Sequence, residues 1–238
     1  MHIDVWSDIH CPWCYIGKRR LETALAKFEH ADEVAVKYHS FQLDPDAPER
    51  FEGTAAEYLA QRKGADVAAI EAMFSQVATQ LRDEGLEPNF SGQIIANSMK
   101  AHQLIHLAES EESAAQIIDA LFRAHFEEGL DIGDVETLVL IGTKHGLDEA
   151  VIRDEFSSNT RTGAVAEDIA LARQLGISGV RFFVFDMKLA LSGAQPVEVF
   201  LEALRRAWHD RQRAVSETPP QSQADGRGGA CGPDGCTV

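Results

Sequence analysis

The prediction of the fold begins with residues 7–18, which read Ser7-Asp8-Ile9-His10-Cys11-Pro12-Trp13-Cys14-Tyr15-Ile16-Gly17-Lys18. It joins a short apolar run over 2–8, which fits a strand, to a helical pattern that continues to about Glu29. Pro12 suits the first helical position, because the N–H that proline lacks would have no partner there. A second strand is expected from Glu33 to Phe41. Strand, helix and strand in about 40 residues predict a right-handed parallel crossover.

The period of the apolar residues organises the rest of the chain. From about 45 to 160 the period is helical almost throughout, which predicts an all-helical insertion between strands. A helix over about 163–175, strands over 180–185 and 188–191, and a helix over 196–213 are expected to follow. The turn Asp186-Met187 should force a positive φ on Met187, at a cost on the order of 1 kcal/mol. After Ser216 the composition changes to Pro, Gln, Ser, Asp and Gly, which predicts a flexible tail.

Composition excludes several classes of partner. The 238 residues include 22 Lys and Arg against 38 Asp and Glu, a net charge of −16. Such a surface repels phosphate backbones and anionic lipids, so nucleic acid and membranes are not expected partners. No apolar stretch reaches the ~18 residues of a membrane span, and the first residues lack the pattern of a signal peptide. The predicted location is cytoplasmic.

The four cysteines fall into two close pairs, Cys11 with Cys14 and Cys231 with Cys236, which indicates redox or metal chemistry. At a helix N-terminus the unpaired N–H groups favour an anion, so Cys11 is predicted to be the attacking thiolate. Cys14 lies one turn further on, within reach of a disulfide, and would resolve mixed disulfides. A pair of core cysteines or half of a zinc site remain the alternatives.

Several neighbours complete the candidate site. Trp13 is expected to be partly exposed at the mouth of the site. His10 would help the thiolate if it were protonated, and an exposed bystander is the alternative. His102 and His106 have a spacing that metal ligands can use, but they lie beside a core stripe and are interpreted as structural histidines. No metal site is predicted.

The second cysteine pair encloses Gly232-Pro233-Asp234-Gly235, a strong turn sequence that would bring Cys231 and Cys236 together. We expect this pair to reach the first pair and to exchange disulfides with it. The alternatives are a nonfunctional tail or a four-thiolate zinc site built from both pairs.

The motifs together resemble the FrnE-like branch of the DsbA family of thioredoxin-fold oxidoreductases. The resembling segments are 7–8 with 11–18, 41–45, 97–98, 101–104, 179–185 and 192–195. The resemblance implies a thioredoxin-like fold, residues 1–45 and 160–215, interrupted by a helical insertion, residues 46–159. Residues 216–238 would be the tail with the second redox pair. It further implies a redox-active disulfide without a cofactor, apart from adventitious zinc.

One position departs from the family. Where the family usually has a cis-proline after Val180, this sequence has Arg181. A cis bond before a non-proline residue costs ~3–4 kcal/mol, so a trans bond and a shifted backbone are expected. We hypothesise that Arg181 lies close to Cys11 and stabilises its thiolate, so that Arg181→Pro would raise the thiol pKa. The alternative is an Arg181 that points to solvent.

The resulting hypothesis is a cytosolic thiol–disulfide oxidoreductase or isomerase that acts on disulfide-containing proteins or low-molecular-weight thiols. Two alternatives stay open. The superfamily also includes kappa-class glutathione transferases and 2-hydroxychromene-2-carboxylate isomerases, which act on small molecules with glutathione. The third possibility is a thiolate metal-binding protein.

Overall fold

The computed structural model describes residues 1–177 and 179–217. The strands are β1 (His2–Ser7), β2 (Ala35–Ser40), β3 (Phe182–Phe185) and β4 (Leu189–Ser192). The helices are α1 (Pro12–Ala26), α2 (Ala55–Lys63), α3 (Val67–Asp83), α4 (Met99–Ile105), α5 (Glu111–Phe126), α6 (Val135–Lys144), α7 (Glu149–Ser158), α8 (Thr162–Gln174) and α9 (Val197–Glu217). Cys231 and Cys236 lie outside the described residues.

The strands form one sheet in the order β2-β1-β3-β4. β1 and β2 are parallel and flank α1 in the chain, as the sequence predicts, with Ile3 opposite Val36. β3 returns antiparallel to β1, which places Phe183 opposite Val5, and β4 completes the hairpin. The apolar side chains of β1 alternate between the two faces, so both faces of the sheet are buried.

Helices cover the sheet on both sides. On one face, Ile3 and Val5 pack with residues of α1, β3 and α9 in a single buried cluster. On the other face, Trp6 packs with Ala172 of α8, and the Trp6 indole N–H donates to the carbonyl of Asp168 at 3.2 Å. This three-layer arrangement holds the end of β1, and therefore the Cys11–Cys14 segment that follows it, in a fixed position.

The insertion forms a second apolar core. α2 to α7 follow β2 in the chain, and buried residues of α4, α5 and α6 pack with Tyr15 and Ile16 of α1. α1 therefore contributes to both cores. One break lies between α4, which ends at Ile105, and α5, which begins after Ser110, whose hydroxyl accepts the N–H of Ser113 at 3.1 Å. The break carries no glycine or proline, and the serine cap was the signal available.

Other boundaries differ by a few residues. α1 ends at Ala26 rather than at about Glu29, and α9 continues to Glu217. The hairpin turn is as predicted, because Asp186 and Met187 have φ values of 45° and 54°. The Asp186 carboxylate accepts the His2 N–H at 2.7 Å, which ties this strained turn to the first strand.

A buried histidine between two carboxylates joins three elements. His39 of β2 stacks on Trp6 and contacts Asp168 through Nδ1 at 2.6 Å and Asp4 through Nε2 at 2.9 Å. Asp168 of α8 also accepts the Ser40 N–H. Burial opposes the charge on His39, but the two carboxylates outweigh it and raise the pKa of His39. This network holds α8 against the sheet.

Replacing this histidine should produce a pH-dependent loss of stability. Because the folded state raises the pKa of His39, its contribution is full below about pH 6.5 and declines as the pH rises through the folded value. His39→Gln is expected to lower the Tm at pH 6 by roughly 4–8 °C. The gap to wild type should narrow by pH 8.5, as measured by thermal unfolding followed by circular dichroism. A gap that widens with pH would contradict the charged His39.

Candidate active site

The two cysteines lie where β1 gives way to α1. Cys11 is the N-cap of α1, with an extended backbone (φ −97°, ψ 108°), and Pro12 opens the helix. The Cys11 N–H donates to the Asp8 carbonyl at 3.1 Å, and the Cys14 N–H donates to the Cys11 carbonyl at 2.9 Å. Both side chains are buried, with Cys11 only 6% exposed. The helix N-terminus thus directs its free N–H groups toward the buried sulfur of Cys11.

The surroundings shift the pKa values of the two thiols in opposite directions. A hydrogen bond from the Cys14 thiol lowers the pKa of Cys11, and the positive charge of Arg181 lowers it further, against burial. Burial raises the pKa of Cys14 well above its ordinary value, and the neighbouring Cys11 raises it more. At neutral pH the arrangement therefore favours one thiolate on Cys11 and one protonated thiol on Cys14, which is the distribution that thiol–disulfide exchange uses.

Arg181 lies on the wall of the same cavity as Cys11. Its backbone is in the left-handed region, with φ +65°, and no peptide bond within the described ranges is cis. The Arg181 N–H donates to the Trp6 carbonyl at 3.0 Å, and its carbonyl accepts the Gly193 N–H at 2.8 Å. Proline fits neither feature, because its φ is fixed near −65° and it has no N–H. Arg181→Pro would therefore disturb the backbone as well as the charge.

A matched pair of variants isolates the charge of Arg181. Arg181→Gln is expected to raise the pKa of the Cys11 thiol, because a cation near the thiolate is lost, whereas Arg181→Lys should retain most of the effect. The pKa can be followed by thiolate absorbance at 240 nm as a function of pH. Equal pKa values for wild type and Arg181→Gln would contradict this electrostatic role.

Asp8 is a buried carboxylate in the loop just before Cys11. Its hydrogen bonds to this loop and to the insertion were not predicted from the sequence. Its side chain is fully buried and accepts the Leu43 N–H at 2.7 Å and the His10 N–H at 3.3 Å. His102 Nε2 lies 3.3 Å from the same carboxylate. Burial opposes ionisation, but these hydrogen bonds, led by that of His102, hold the pKa of Asp8 well below its usual range. His102 is thus a structural residue that ties α4 of the insertion to the active-site loop.

The structure agrees with neither role considered for His10 from the sequence, a protonated helper of the thiolate or an exposed bystander. It is half-buried and lines the cavity, so it is no exposed bystander. Burial lowers its pKa, which leaves the ring neutral at physiological pH. Its ring lies 5.0 Å from that of His125, another buried histidine whose pKa burial lowers well below the usual value. His125 contacts the Gln93 amide at 2.7 Å, a polar pair that was not predicted from the sequence.

A cavity of about 370 Å³ opens beside Cys11. Its wall includes Pro12 and Trp13 at the active site, and apolar residues of the insertion such as Leu59 and Phe74. Trp13 is half-buried there, and Val180 is buried in the core cluster that contains both cysteines. Cys11, Arg181 and helices α2 and α3 of the insertion thus line one cavity.

The other predicted residues lie elsewhere. His106 contacts Asp168 at 3.1 Å, so the two histidines of the α4 region serve different carboxylates. Within residues 1–177 and 179–217, no group of three or more His, Cys, Asp or Glu side chains is arranged to hold a metal ion. None of the helices in this part of the chain is both long and apolar enough to cross a lipid bilayer.

A cysteine pair at the N-terminus of the helix that follows the first strand, on a sheet of this topology, defines a protein of the thioredoxin-fold class. The chain belongs to the family of the DSBA-like thioredoxin domain, whose sequence model matches residues 2–205. The fold is accordingly thioredoxin-like with a helical insertion, as the sequence predicted.

Solved structures agree with this assignment. A probable DsbA oxidoreductase from Streptomyces coelicolor is 36% identical, with 100% of this chain and 99% of that one covered and a TM-score of 0.82. A 2-hydroxychromene-2-carboxylate isomerase is similar in fold at 17% identity, with 92% and 100% covered and a TM-score of 0.63. A cytosolic disulfide reductase from Pseudomonas aeruginosa, solved with GSH, reaches a TM-score of 0.58 at 19% identity, with 87% and 100% covered.

Proposed function

We propose that the protein is a thiol–disulfide oxidoreductase in which Cys11 is the nucleophile and Cys14 the resolving thiol. The observation that carries the proposal is the placement of Cys11 as the N-cap of α1, on the same cavity wall as Arg181 and one helical turn from the buried Cys14. The directions of the thiol pKa shifts, downward for Cys11 and upward for Cys14, agree with it. Family membership and the similarity to a probable DsbA oxidoreductase support it. The Pseudomonas aeruginosa reductase of similar fold is a cytosolic protein, which supports a cytosolic setting for this chain as well.

The exchange proceeds in two displacements. The Cys11 thiolate attacks one sulfur of a substrate disulfide, so that a Cys11–substrate disulfide forms and the other substrate sulfur leaves as a thiolate that takes a proton from water. Cys14 then loses its proton and attacks the Cys11 sulfur, which releases the second substrate thiol. The substrate gains two electrons, and the enzyme ends as the Cys11–Cys14 disulfide. The reverse sequence oxidises a dithiol.

Burial raises the pKa of Cys14 and keeps its thiol protonated, so that Cys14 acts only after Cys11 has attacked. A protonated Cys14 donates a hydrogen bond to the Cys11 thiolate before attack, which stabilises the reduced enzyme. Stabilising the reduced form makes the enzyme disulfide a stronger oxidant, and the charge of Arg181 acts in the same direction.

A reactivation assay tests the proposed function. Wild-type protein with a glutathione redox buffer should restore the activity of a ribonuclease with scrambled disulfides, and Cys14→Ser should accumulate a mixed disulfide on Cys11 that mass spectrometry detects. If neither reactivation nor a mixed disulfide is observed, the oxidoreductase assignment fails.

The second cysteine pair is proposed to exchange disulfides with the first. The support is its sequence alone, since Cys231 and Cys236 lie outside the described residues. The variant Cys231→Ser/Cys236→Ser is expected to lower turnover in the reactivation assay severalfold while the Cys11 pKa stays at its wild-type value. Unchanged turnover would remove the tail pair from the mechanism.

The cavity favours a second candidate function, glutathione-dependent transfer or isomerisation of a small molecule. Its volume of about 370 Å³ lies in the range of small-ligand pockets. A thiol–disulfide oxidoreductase needs the sulfur of Cys11 to carry electrons, whereas a glutathione-dependent transferase or isomerase does not. Conjugation of glutathione to 1-chloro-2,4-dinitrobenzene that survives in Cys11→Ser would favour transferase chemistry.

A further inference from the structure

We propose that the preferred substrate at Cys11 is the disulfide of a small apolar molecule with an anionic group, bound in the cavity, and that the disulfides of polypeptides react more slowly. The proposal rests on the proposed oxidoreductase function and names the class of its substrate. Three features of the site carry it, namely the enclosure of Cys11, the backbone around Arg181 and the charges on the cavity wall.

The enclosure limits what can reach Cys11. Its side chain is 6% exposed, and the cavity beside it is bounded by α2 and α3 of the insertion. These helices pack on each other through a small apolar cluster of their own. Tyr58 of α2 donates a hydrogen bond to Asp44 at 2.5 Å, and Arg62 pairs with the same carboxylate, so α2 is fastened to the segment after β2. A folded protein surface would have to displace this cover.

The backbone groups of Arg181, on the cavity wall beside Cys11, already have hydrogen-bond partners within the protein. An extended chain usually binds at such a site by adding a strand, through hydrogen bonds to free backbone groups. The Arg181 N–H is bound to the Trp6 carbonyl, and the Arg181 carbonyl is bound to the Gly193 N–H. Both backbone groups of the residue that faces the cavity are therefore used inside the protein, and they offer nothing to a substrate strand.

The walls combine apolar and cationic groups. Apolar side chains, among them Trp13, Leu59 and Phe74, form most of the lining. Arg62, Lys63 and Arg181 also line the cavity, against one carboxylate, Asp44. Asp44 is already paired with Arg62.

Neither of the other two cations is paired with a carboxylate. Within the described part of the chain, no hydrogen bond or ion pair is made by the side chain of Lys63 or Arg181, and the Arg181 Nε is buried without a partner. Arg181 offsets the charge of the Cys11 thiolate, whereas the exposed Lys63 at the cavity wall has no counter-charge and would attract an anionic ligand.

The chemistry is a single balanced exchange. With the reduced enzyme, the substrate disulfide takes two electrons and becomes two thiols, while Cys11 and Cys14 form a disulfide. No further reactant is needed for one turnover, so the substrate class can be tested on the reduced full-length protein alone.

Two aromatic disulfides that differ in charge serve as probes. The dianionic 5,5′-dithiobis(2-nitrobenzoate) and the neutral 4,4′-dithiodipyridine are mixed with reduced protein in a stopped-flow instrument, and each rate is divided by that of free glutathione with the same probe. The normalised rate for the anionic probe is expected to exceed that for the neutral probe. Lys63→Gln should lower the anionic rate about 3–10-fold and leave the neutral rate unchanged.

Controls separate the cavity charge from general effects. Lys144→Gln removes a charge from the exposed end of α6, away from the cavity, and should change neither rate. Insulin supplies a protein disulfide under the same conditions and is expected to react more slowly than either probe after the same normalisation.

Two outcomes are distinguishable. If insulin reacts at least as fast as the probes and Lys63→Gln changes nothing, the small-anion proposal is overturned while the oxidoreductase function stands. If no disulfide reacts faster with the protein than with free glutathione, both the function and the substrate class fall.

Discussion

Cys11→Ser is expected to reduce disulfide exchange to less than about one thousandth of the wild-type rate, because a hydroxyl cannot replace the thiolate as nucleophile or electron carrier. The burial of Cys14 and its raised pKa prevent it from taking over the attack. The rate is measured as the first-order formation of active ribonuclease from its scrambled form at pH 7.

Cys14→Ser is the matched control for this prediction. It removes one sulfur from the same helical turn, so a general effect on folding would be shared by both variants. Cys14→Ser should still form the mixed disulfide and fail only at its resolution, because the nucleophile is intact. Cys14→Ala, which leaves no donor at this position, should raise the Cys11 pKa, since the largest stabilising hydrogen bond to that thiolate comes from the Cys14 thiol. If Cys11→Ser keeps a tenth of the activity, the attacking thiol has been misassigned.

Asp8→Asn is expected to destabilise the protein by about 3 kcal/mol at pH 7. The two Asp8 oxygens accept from N–H groups on opposite sides, those of Leu43 and His10, with His102 beside the second. An amide nitrogen in place of either oxygen would face another donor in a fully buried site and would lose a hydrogen bond there. Urea unfolding of both proteins at equal concentration measures the difference.

The pH dependence gives this prediction a second readout. Since the folded state depresses the pKa of Asp8, its stabilisation is present above about pH 4 and is lost as the pH falls below that value. The stability gap between wild type and Asp8→Asn should therefore narrow at acidic pH. Asp46→Asn, on the exposed part of the same loop, is the control and should change stability by less than about 0.5 kcal/mol.

The variant also reports on the cysteines. The negative charge of Asp8 raises the pKa of Cys11, so Asp8→Asn should lower it. A purely structural residue would leave the thiol pKa where it is, and an unchanged value would limit Asp8 to holding the active-site loop.

Local patterns in the sequence were sufficient for the framework. The apolar run before Asp8, the proline at the first helical position and the second strand predicted the crossover that the structure contains. The positive φ of Met187 followed from the two residues available for the turn. These features depend on neighbours close in the chain, and so a single sequence carries them.

The position of Arg181 in the candidate site could be predicted only from a family resemblance. The expectation that Arg181 lies near Cys11 came from a family resemblance, and the antiparallel pairing of β3 with β1 is what places it there. Its exact backbone, with φ +65° and both peptide groups bonded, had no signal in the sequence.

The class of fold and the position of the CXXC pair could be predicted from the sequence alone, because a strand, a helix start and a cysteine spacing are local properties. The partners of Asp8, the neutral state of His10 beside His125, and the cavity that Cys11, Lys63 and Arg181 line follow only from the tertiary structure. Asp8 and His102 are 94 residues apart, and no periodicity encodes such a pair. The physical reason is that charge and burial at a site are set by the packing of distant elements, which local patterns do not record.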